Sequence, residues 1–204
     1  MFSIISGKYI AVEGVIGVGK TTLVRNLSLK YSIPTVLEVV EENPFLPSFY
    51  EDMDRWAFQT QLFFLVSRFD QQSAVKKTAA QGQGVVSDYT FYKDQLFASL
   101  TLKGDQLELY EKIFKVLQDQ VPTPDLVVYL YADVNVLMNR IALRDRPFER
   151  SMDRNYISML SEAYEKHMCS ERNFPVLRID TSSMDFVRNQ KDLYEIFERI
   201  EASL

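Results

Sequence analysis

A glycine-rich segment near the start of the chain has the spacing of a phosphate-binding loop. Residues 14–21 read Gly-Val-Ile-Gly-Val-Gly-Lys-Thr, which matches G-x-x-x-x-G-K-[ST]. The glycines allow a tight turn in which successive N–H groups point at phosphate oxygens, and a following helix adds its positive N-terminal end. The segment therefore predicts a site for a nucleoside triphosphate.

The individual residues of this loop have distinct expected roles. Lys20 is expected to reach the β- and γ-phosphates, and the hydroxyl of Thr21 is expected to bind Mg²⁺. The other residues predicted to contact the triphosphate in this segment are Gly14, Val15, Ile16, Gly17, Val18, Gly19 and Thr22. ATP or another nucleoside triphosphate is thus the predicted phosphoryl donor, with Mg²⁺ as its cofactor.

Two acids follow short apolar runs that predict strands, and both are candidates for acting on an acceptor. Glu38 ends the second such run, and Asp88 ends the third. Ligands of parallel sheets bind at the carboxyl ends of the strands, so both acids are expected beside the phosphate loop. Glu38 is the predicted base for an acceptor hydroxyl, and Asp88 is predicted to approach Mg²⁺. Glu41 and Glu42 are expected to be ordinary helix-capping or surface acids.

Three arginines lie close together at the end of a predicted helix: Arg140, Arg144 and Arg146. Such a cluster can be a solvated helix face. A kinase, however, needs mobile positive charge around the transferring phosphoryl group, and guanidinium groups bind phosphate well. We therefore predict an arginine-rich lid over about residues 144–152. Arg140 and Arg144 are expected to contact the triphosphate, and Arg144 and Arg146 to act on the transferred group.

Short apolar runs alternate with longer amphipathic segments along the chain. The runs predict five strands, at residues 8–13, 35–38, 85–88, 126–132 and 176–179. The amphipathic segments predict helices at residues 20–32, 55–81, 105–119, 134–144, 155–168 and 186–202. This alternation is typical of an α/β fold in which helices cover both faces of a parallel sheet.

The composition limits the class of protein. A chain of 204 residues with 47% hydrophobic residues is the size of one domain, so we predict a single domain over residues 1–204. One cysteine and one histidine exclude disulfide frameworks and Cys/His zinc clusters. The net charge of −5 argues against a surface that binds nucleic acid. Lys8 and Glu13 interrupt the apolar N-terminal stretch, so a cytoplasmic protein with no signal peptide and no membrane segment is expected.

A phosphate loop alone does not determine the reaction, but two nucleotide-binding classes fit poorly. A GTPase needs the string N-K-x-D, whereas residues 189–192 read Asn-Gln-Lys-Asp, with the lysine one place late and inside a predicted helix. A transporter ATPase needs a second signature such as LSGGQ, which the sequence lacks. A small kinase remains as the prediction.

Several strings resemble the deoxynucleoside kinase family over most of the chain. They are EGVIGVGKTT, EVVEENP, Tyr50 followed by RWAFQTQ and by Ser67-Arg68, the Asp88-Tyr-Thr segment, and RIALRDRPFE. The resemblance implies the three-layer P-loop kinase fold with an arginine-rich lid. It also implies transfer of a γ-phosphoryl group to the 5′-hydroxyl of a deoxynucleoside, and a homodimer that pairs through helices.

The resemblance also implies roles for the sugar-binding residues. It supports Glu38 as the base and places Asp88 near the 5′-hydroxyl and Mg²⁺. Tyr50 and Glu149 are implied to hold the 3′-hydroxyl. These four residues would together fix the deoxyribose beside the phosphate loop.

Three further residues are implied to read the acceptor's base: Gln61, Arg68 and Asp94. The planar fork of Arg68 matches the O6 and N7 acceptor pair of guanine, whereas adenine presents an amino donor at position 6. The loop after the last predicted strand is implied to border the base of the phosphate donor. Asp185 and Phe186 are its expected contacts.

Two positions depart from the family pattern. Tyr89 stands where the family usually has arginine after the acid of the third strand, so the site must manage without that cation or use another. Asp145 replaces the glycine that usually separates Arg144 from Arg146, which adds a negative charge to the lid. The string DYTFYKDQLFASLTL is nevertheless most similar to the bacterial branch that phosphorylates deoxyguanosine, which favours a purine acceptor.

Three alternatives remain open at this point. A kinase of the same family with a preference for deoxyadenosine or deoxycytidine would share every motif. A thymidylate-like nucleoside monophosphate kinase fits less well, because Glu38 would repel an acceptor that already carries a phosphate. The departure at Tyr89 leaves a non-catalytic, nucleotide-binding regulatory subunit as the alternative from a different class.

Overall fold

Five parallel strands form one sheet in the computed structural model, which describes residues 4–150, 152–170 and 173–204. The strand order is β2-β3-β1-β4-β5. The strands are β1 (Tyr9–Gly14), β2 (Thr35–Val36), β3 (Val85–Ser87), β4 (Leu126–Tyr131) and β5 (Val176–Asp180). The predicted parallel α/β sheet is therefore confirmed, with the strand that leads into the phosphate loop at its centre.

Eight α-helices connect and cover these strands within the described ranges. They are α1 (Lys20–Tyr31), α2 (Leu46–Glu51), α3 (Met53–Ala80), α4 (Lys93–Thr101), α5 (Gly104–Gln118), α6 (Val134–Arg144), α7 (Arg154–Cys169) and α8 (Gln190–Glu201). A short 3₁₀ helix spans Pro147–Glu149. None of the described helices is both long and apolar enough to cross a membrane.

The six predicted helices and five predicted strands are present, but some of their ends differ. The second strand stops at Val36 rather than at Glu38, because the backbone N–H of Glu38 donates to the Asp88 carboxylate (2.7 Å) instead of to a neighbouring strand. The last helix begins at Gln190 rather than at residue 186. There, the side chain of Asn189 accepts a hydrogen bond from the N–H of Lys191 (3.0 Å) and caps the helix.

Two helices were not predicted from the sequence, α2 and α4. Helix α2 has only six residues, which is too short for a periodic pattern to show. Helix α4 buries charged side chains, Lys93 and Asp94, on the face where an amphipathic helix carries apolar ones. The sequence pattern of α4 is irregular because this helix carries part of the site.

The apolar core has two parts. The larger surrounds the sheet, where the residues of β1 and all but the last residue of β4 are buried. The smaller lies among α2, α3, α4 and α5, and it includes the stacked rings of Phe91 and Phe114, whose centroids are 5.3 Å apart. The space between the sheet and this second cluster opens at the carboxyl ends of the strands, where the phosphate loop begins.

Candidate active site

The phosphate loop joins β1 to α1 and requires its glycines. Gly14, Gly17 and Gly19 have φ angles of 144°, 86° and 107°, which other residues rarely adopt. A β-carbon on Gly14 would lie 2.2 Å from the carbonyl oxygen of Leu130, and one on Gly19 would lie 2.5 Å from Cζ of Phe186. The loop can therefore take this path only with glycine at these positions.

Lys20 folds back onto its own loop. Its Nζ donates to the carbonyl oxygens of Gly14 (2.7 Å) and Val15 (3.2 Å). Burial, and then the positive charge of Lys93, lower the pKa of Lys20 to about 8. An anion bound in the loop would stabilise the charged form of this side chain.

Asp88 connects the phosphate loop to Glu38. Its Oδ2 accepts a hydrogen bond from the Thr21 hydroxyl (2.6 Å), and its Oδ1 accepts one from the backbone N–H of Glu38 (2.7 Å). Oxygen ligands from one carboxylate and one hydroxyl suit Mg²⁺, which completes its shell with phosphates and water. Among the described residues, no group of three or more His, Cys, Asp or Glu side chains could hold a metal alone. Thr21 and Asp88 thus fit Mg²⁺ that arrives with a nucleotide.

Glu38 lies between two cations. Arg68 donates to Oε1 through Nε (3.0 Å) and Nη2, and Lys93 Nζ donates to Oε2 (2.8 Å). Burial by itself would raise the pKa of Glu38, but the charges of Arg68 and Lys93 outweigh it and hold the pKa well below its usual range. Glu38 is therefore ionised at neutral pH and can accept a hydrogen bond from an acceptor hydroxyl.

Arg68 also forms a buried ion pair with Asp94. Nη1 of Arg68 contacts Oδ1 of Asp94, and neither residue is more than 4% exposed. Burial raises the pKa of Asp94 to about 6, because Arg68 and Lys93 offset only part of the desolvation. Asp94 lies behind Arg68 and, within the described part of the chain, does not line the adjoining cavity. It fixes Arg68 rather than contacting the cavity itself.

A cavity of about 240 Å³ opens beside Glu38. It brings together six of the seven residues predicted to bind the acceptor, all except Asp94. The six are Glu38, Tyr50, Gln61, Arg68, Asp88 and Glu149. They come from α2, α3, the 3₁₀ helix and the segments after β2 and β3, so the cavity is assembled from distant parts of the chain.

Two residues that line this cavity each carry a buried polar atom with no hydrogen-bond partner among the described residues. These atoms are Oε1 of Gln61 and Oγ1 of Thr60. Nε2 of Gln61 donates to the Thr101 hydroxyl (3.2 Å), which sets the orientation of the amide. Unsatisfied buried acceptors are costly unless a ligand pairs with them, so both atoms are candidates for contacting a base.

Tyr50 and Glu149 form another part of the wall. The ring of Tyr50 stacks on Phe148 with an interplanar angle of 3°. Burial raises the pKa of Tyr50 well above its ordinary value, so its hydroxyl stays protonated and can donate. Glu149 accepts from Nε (3.1 Å) and Nη2 (2.6 Å) of Arg144. A donor and an acceptor are thus available for a sugar hydroxyl.

A second, larger cavity of about 690 Å³ lies on the other side of the phosphate loop. Its wall contains these residues predicted to bind the triphosphate: Gly17, Val18, Gly19, Thr22, Asp185 and Phe186. Gly14 and Ile16 line the first cavity instead. Val15 lines neither, because its side chain is only 1% exposed and packs in the core. Any contact of Val15 with a phosphate would involve its backbone.

The two cavities meet. Five residues line both of them: Lys20, Thr21, Arg25, Arg144 and Arg146. Four of the five are cationic, so positive charge is concentrated where the two spaces join. Arg25 was not expected from the sequence, since a single arginine in the first helix carries no motif.

Arg140 lies in the wall of the second cavity, but its terminal nitrogens are engaged by the protein. Nη1 donates to the carbonyl of Val18 (3.3 Å) and the hydroxyl of Thr181 (3.0 Å). Nη2 donates to the carbonyls of Thr181 (2.8 Å) and Met184 (2.9 Å). Arg140 therefore ties the phosphate loop to the segment after β5.

The segment predicted to be the lid follows α6, and it contains Asp145. Asp145 has a φ of 48°, a left-handed conformation that glycine adopts easily and Asp tolerates. Its negative charge is paired with Arg150 (2.7 Å), so it does not oppose Arg144 or Arg146. Ser151, within the predicted range 144–152, lies outside the described residues.

Glu41 is exposed, as expected for an ordinary surface acid, with 58% of its side chain accessible to solvent. Its carboxylate also lies 3.0 Å from Nη2 of Arg146, and the residue lines the first cavity. The segment after β2 and the lid are thereby joined by an ion pair.

Glu13 is a structural acid that links the phosphate loop to the segment after β3. Its Oε1 accepts from the N–H (2.5 Å) and hydroxyl (2.8 Å) of Thr90, and its Oε2 accepts from the N–H of Gly14 (3.3 Å) and the hydroxyl of Tyr164 (3.1 Å). These bonds set the distance between Gly14 and Asp88. No local motif marks Glu13, because its partners are far away in sequence.

A glycine loop that presents a lysine and a threonine at the ends of parallel strands, beside an acid-lined cavity, defines a P-loop phosphotransferase. Solved structures share this fold. The deoxyadenosine kinase of M. mycoides with the products dCMP and dCDP superposes with a TM-score of 0.81 at 24% identity, covering 95% of this chain and 99% of that one. Its dATP-bound structure gives a TM-score of 0.80 at 23% identity, with 95% and 98% covered.

Curated relatives identify the family. Deoxyguanosine kinase of Bacillus subtilis is 40% identical over 199 residues, which cover 95% of this chain and 94% of the relative. Deoxyadenosine/deoxycytidine kinase of the same organism is 32% identical, covering 94% and 90%. Deoxyadenosine kinase of Dictyostelium discoideum is 35% identical over 184 residues, covering 87% and 74%.

The family model for deoxynucleoside kinases matches residues 10–204. The chain belongs to the deoxynucleoside kinase family, and it is a phosphotransferase that acts on a deoxynucleoside. The resemblance noted from the sequence is confirmed, as is the P-loop kinase fold. A nucleoside monophosphate kinase and a non-catalytic subunit are thereby set aside.

Proposed function

We propose that this kinase transfers the γ-phosphoryl group of ATP to the 5′-hydroxyl of deoxyguanosine and so forms deoxyguanosine 5′-monophosphate. The observation that carries the proposal is the junction of two cavities at Lys20 and Thr21. Transfer between two bound molecules requires an acceptor and a donor on opposite sides of the moving group. A cavity of about 240 Å³ for the nucleoside and one of about 690 Å³ for the triphosphate fit this requirement.

Glu38 is the proposed base. The ionised carboxylate accepts the hydrogen bond of the 5′-hydroxyl and takes its proton as the bond to the γ-phosphorus forms. Lys20, Arg144 and Arg146 surround the transferring group with positive charge, which stabilises the charge on its oxygens.

Mg²⁺ belongs to this proposal as the partner of ATP. Thr21 and Asp88 would hold it, and bound Mg²⁺ would neutralise charge on the β- and γ-phosphates. Asp185 and Phe186 are proposed to border the base of ATP at the far end of the second cavity. Arg140 is proposed to act mainly by holding that wall in place.

The base preference rests on Arg68 and Gln61. With Glu38 and Asp94 bound, Arg68 still has one N–H on each terminal nitrogen, the pair that can meet O6 and N7 of guanine. The free Oε1 of Gln61 can accept from a ring N–H or an amino group. The relative at 40% identity is a deoxyguanosine kinase, which supports this choice.

A preference for deoxyadenosine or deoxycytidine is the second candidate. Relatives at 35% and 32% identity are kinases for these nucleosides. Adenine presents an amino donor at position 6, so it would leave Arg68 without its acceptor pair. The same Tyr50 and Glu149 would hold the 3′-hydroxyl in either case.

The wider organisation is proposed on the same basis. We propose a single domain over residues 1–204 with a lid at about 144–152, assembled as a homodimer in the cytoplasm. Deoxynucleoside and nucleoside triphosphate are the proposed partners, with no nucleic acid and no membrane among them. Exposed apolar side chains on α5, Leu109 and Val116, support pairing through helices.

The test is an ADP-release assay with ATP, Mg²⁺ and each of the four deoxynucleosides, for the wild type and for Arg68→Met. Deoxyguanosine should have the highest kcat/KM in the wild type. A bidentate contact contributes about 1–3 kcal/mol, so Arg68→Met should lower kcat/KM for deoxyguanosine by roughly ten- to a hundredfold or more. The decrease for pyrimidine deoxynucleosides should be smaller.

Two outcomes would contradict the base assignment. If the wild type preferred deoxycytidine, then deoxycytidine would replace deoxyguanosine as the proposed substrate. A mutant impaired equally on all four nucleosides would show that Arg68 acts through Glu38 alone. Arg55→Met is the matched control, because Arg55 is an exposed arginine on the same helix and lines neither cavity.

A further inference from the structure

Tyr89 does not replace the cation that the family usually carries at this position. Its side chain is fully buried, and its hydroxyl donates to Oε1 of Gln71 (2.6 Å). Burial raises the pKa of Tyr89 well above its ordinary value, so the residue is neutral. Among the described residues, it also is not part of the wall of the first cavity.

Lys93 brings a positive charge to that cavity from another position. It is the first residue of α4, its side chain is 5% exposed, and its Nζ lies 2.8 Å from Oε2 of Glu38. Its backbone N–H donates to the carbonyl of Thr90 (3.3 Å), and the next residue, Asp94, is tied to Arg68. The ammonium group is therefore held by a fixed backbone.

This location is unfavourable for a lysine unless the charge has a use. Burial of an ammonium group costs free energy, and the N-terminal end of a helix carries a positive partial charge that opposes another cation. Lys93 also disfavours the charged form of Lys20, the other lysine of this cavity. The attraction between Lys93 and the Glu38 carboxylate thus offsets three unfavourable effects, which are burial, the partial positive charge of the helix end and the charge of Lys20.

The two oxygens of Glu38 are not equivalent. Oε1 accepts from both Nε and Nη2 of Arg68, whereas Lys93 is the only donor to Oε2 among the described residues. A carboxylate oxygen accepts two hydrogen bonds, so Oε2 has one position left. The direction of that position is set by Lys93.

We propose that Lys93 is the positioning residue that takes over from the missing arginine, by holding Oε2 of Glu38 toward the 5′-hydroxyl of the nucleoside. The role rests on the proposed phosphorylation of a deoxynucleoside. In the reaction the 5′-oxygen bonds to the γ-phosphorus, the bond from phosphorus to the bridging oxygen breaks with its electron pair leaving on ADP, and the proton passes to Glu38.

The test compares steady-state kinetics of the full chain for the wild type and Lys93→Met, with the nucleoside that the wild type uses best. Loss of orientation acts on the transition state, so kcat should fall roughly ten- to a hundredfold while KM for the nucleoside changes less than about threefold. Glu38→Gln removes the base itself and gives the lower limit of kcat in the same assay, with an expected decrease in kcat of roughly 10²- to 10⁴-fold. Lys103→Met is the matched control, because Lys103 is an exposed lysine in the short segment between α4 and α5, and it should behave as the wild type.

Rescue separates positioning from simple structural support. Lys93→Arg keeps the charge and should therefore retain most of kcat. A Lys93→Met enzyme with unchanged kcat and only a lower Tm would overturn the role of Lys93, as would a Lys93→Arg enzyme as slow as Lys93→Met. A wild type that turns over none of the four deoxynucleosides would overturn the proposed function itself, and this role with it.

Discussion

Glu38 is the proposed base, yet its basicity is unusually low. Arg68 and Lys93 stabilise its charged form, so it binds a proton weakly. Phosphoryl transfer nevertheless depends mainly on positioning and electrostatic stabilisation, because its transition state is loose and the protein supplies little covalent chemistry. A carboxylate that is ionised and held in one orientation therefore suits this reaction better than a more basic carboxylate whose orientation is not fixed.

Lys20 leads to a prediction about proton uptake. Its pKa is lowered to about 8 in the free protein, and a bound triphosphate favours the charged form and raises that pKa. Binding of Mg·ATP should therefore take up about half a proton at pH 8 and about a tenth at pH 7. ATP affinity should weaken as the pH rises through 8, because a growing share of free protein must gain a proton first.

Calorimetric titrations in buffers of different ionisation enthalpy measure this uptake. Lys20→Arg is the control, since arginine stays charged at these pH values and should show no uptake that depends on pH between 7 and 8. Equal uptake by the wild type and Lys20→Arg would mean that another group titrates.

The segment after β5 is held to the phosphate loop by α6. Arg140, near the end of α6, binds the carbonyls of Val18, Thr181 and Met184 at once. Arg140, which is predicted to contact the triphosphate, thus also braces these elements against each other. It explains how a loop that lies 160 residues after the phosphate loop forms the wall of the same cavity.

Removal of this brace should weaken both stability and ATP binding. Arg140→Met leaves several part-buried carbonyls without their donor, so the free energy of unfolding should fall by about 1–3 kcal/mol, measured by urea denaturation. KM for ATP should rise more than KM for the nucleoside. Arg150→Met, which removes an exposed arginine paired with Asp145, should leave the unfolding midpoint unchanged. An unchanged midpoint in Arg140→Met would show that the carbonyls find other donors.

The order of the strands explains the place of the site in the whole molecule. After β1, the chain adds β2 and β3 on one side of it and then crosses to add β4 and β5 on the other. The phosphate loop thus begins at the point where the strand order reverses, and helices leave the sheet in opposite directions from this point. The two cavities lie on either side of that loop.

The proposed homodimer gives a prediction for the assembled molecule. Leu109 and Val116 are seven residues apart on α5, so they share one exposed face of the helix. Sedimentation should give twice the chain mass of 23.7 kDa. Val116→Glu should shift the protein toward the monomer by burying an unpaired charge. Leu29→Glu, a change at an exposed leucine of α1, should not, and a wild type with the mass of one chain would refute the dimer.

Much of the fold and the phosphate loop could be predicted from the sequence, because those features depend on local spacing. The glycines, Lys20 and Thr21 act through backbone geometry over eight residues, and the apolar runs of β1 and β4 report burial directly. The acceptor residues Tyr50, Gln61 and Arg68 were assigned through the ordered series of a family resemblance. All three line one cavity, and two of them, Gln61 and Arg68, lie on the same helix, α3.

Other features required the tertiary structure, because they depend on partners distant in sequence. Nothing local to Lys93 marks it as a partner of Glu38, which lies 55 residues earlier. Asp94 was expected in the pocket, but it lies behind Arg68, since only the packing of α4 against α3 decides which side chain reaches the cavity. The ion pair of Glu41 with Arg146 and the contacts of Arg140 with three carbonyls could not be predicted, for the same reason. The sequence gives the charge of a side chain, but only the folded chain determines which opposite charge or carbonyl group the side chain contacts.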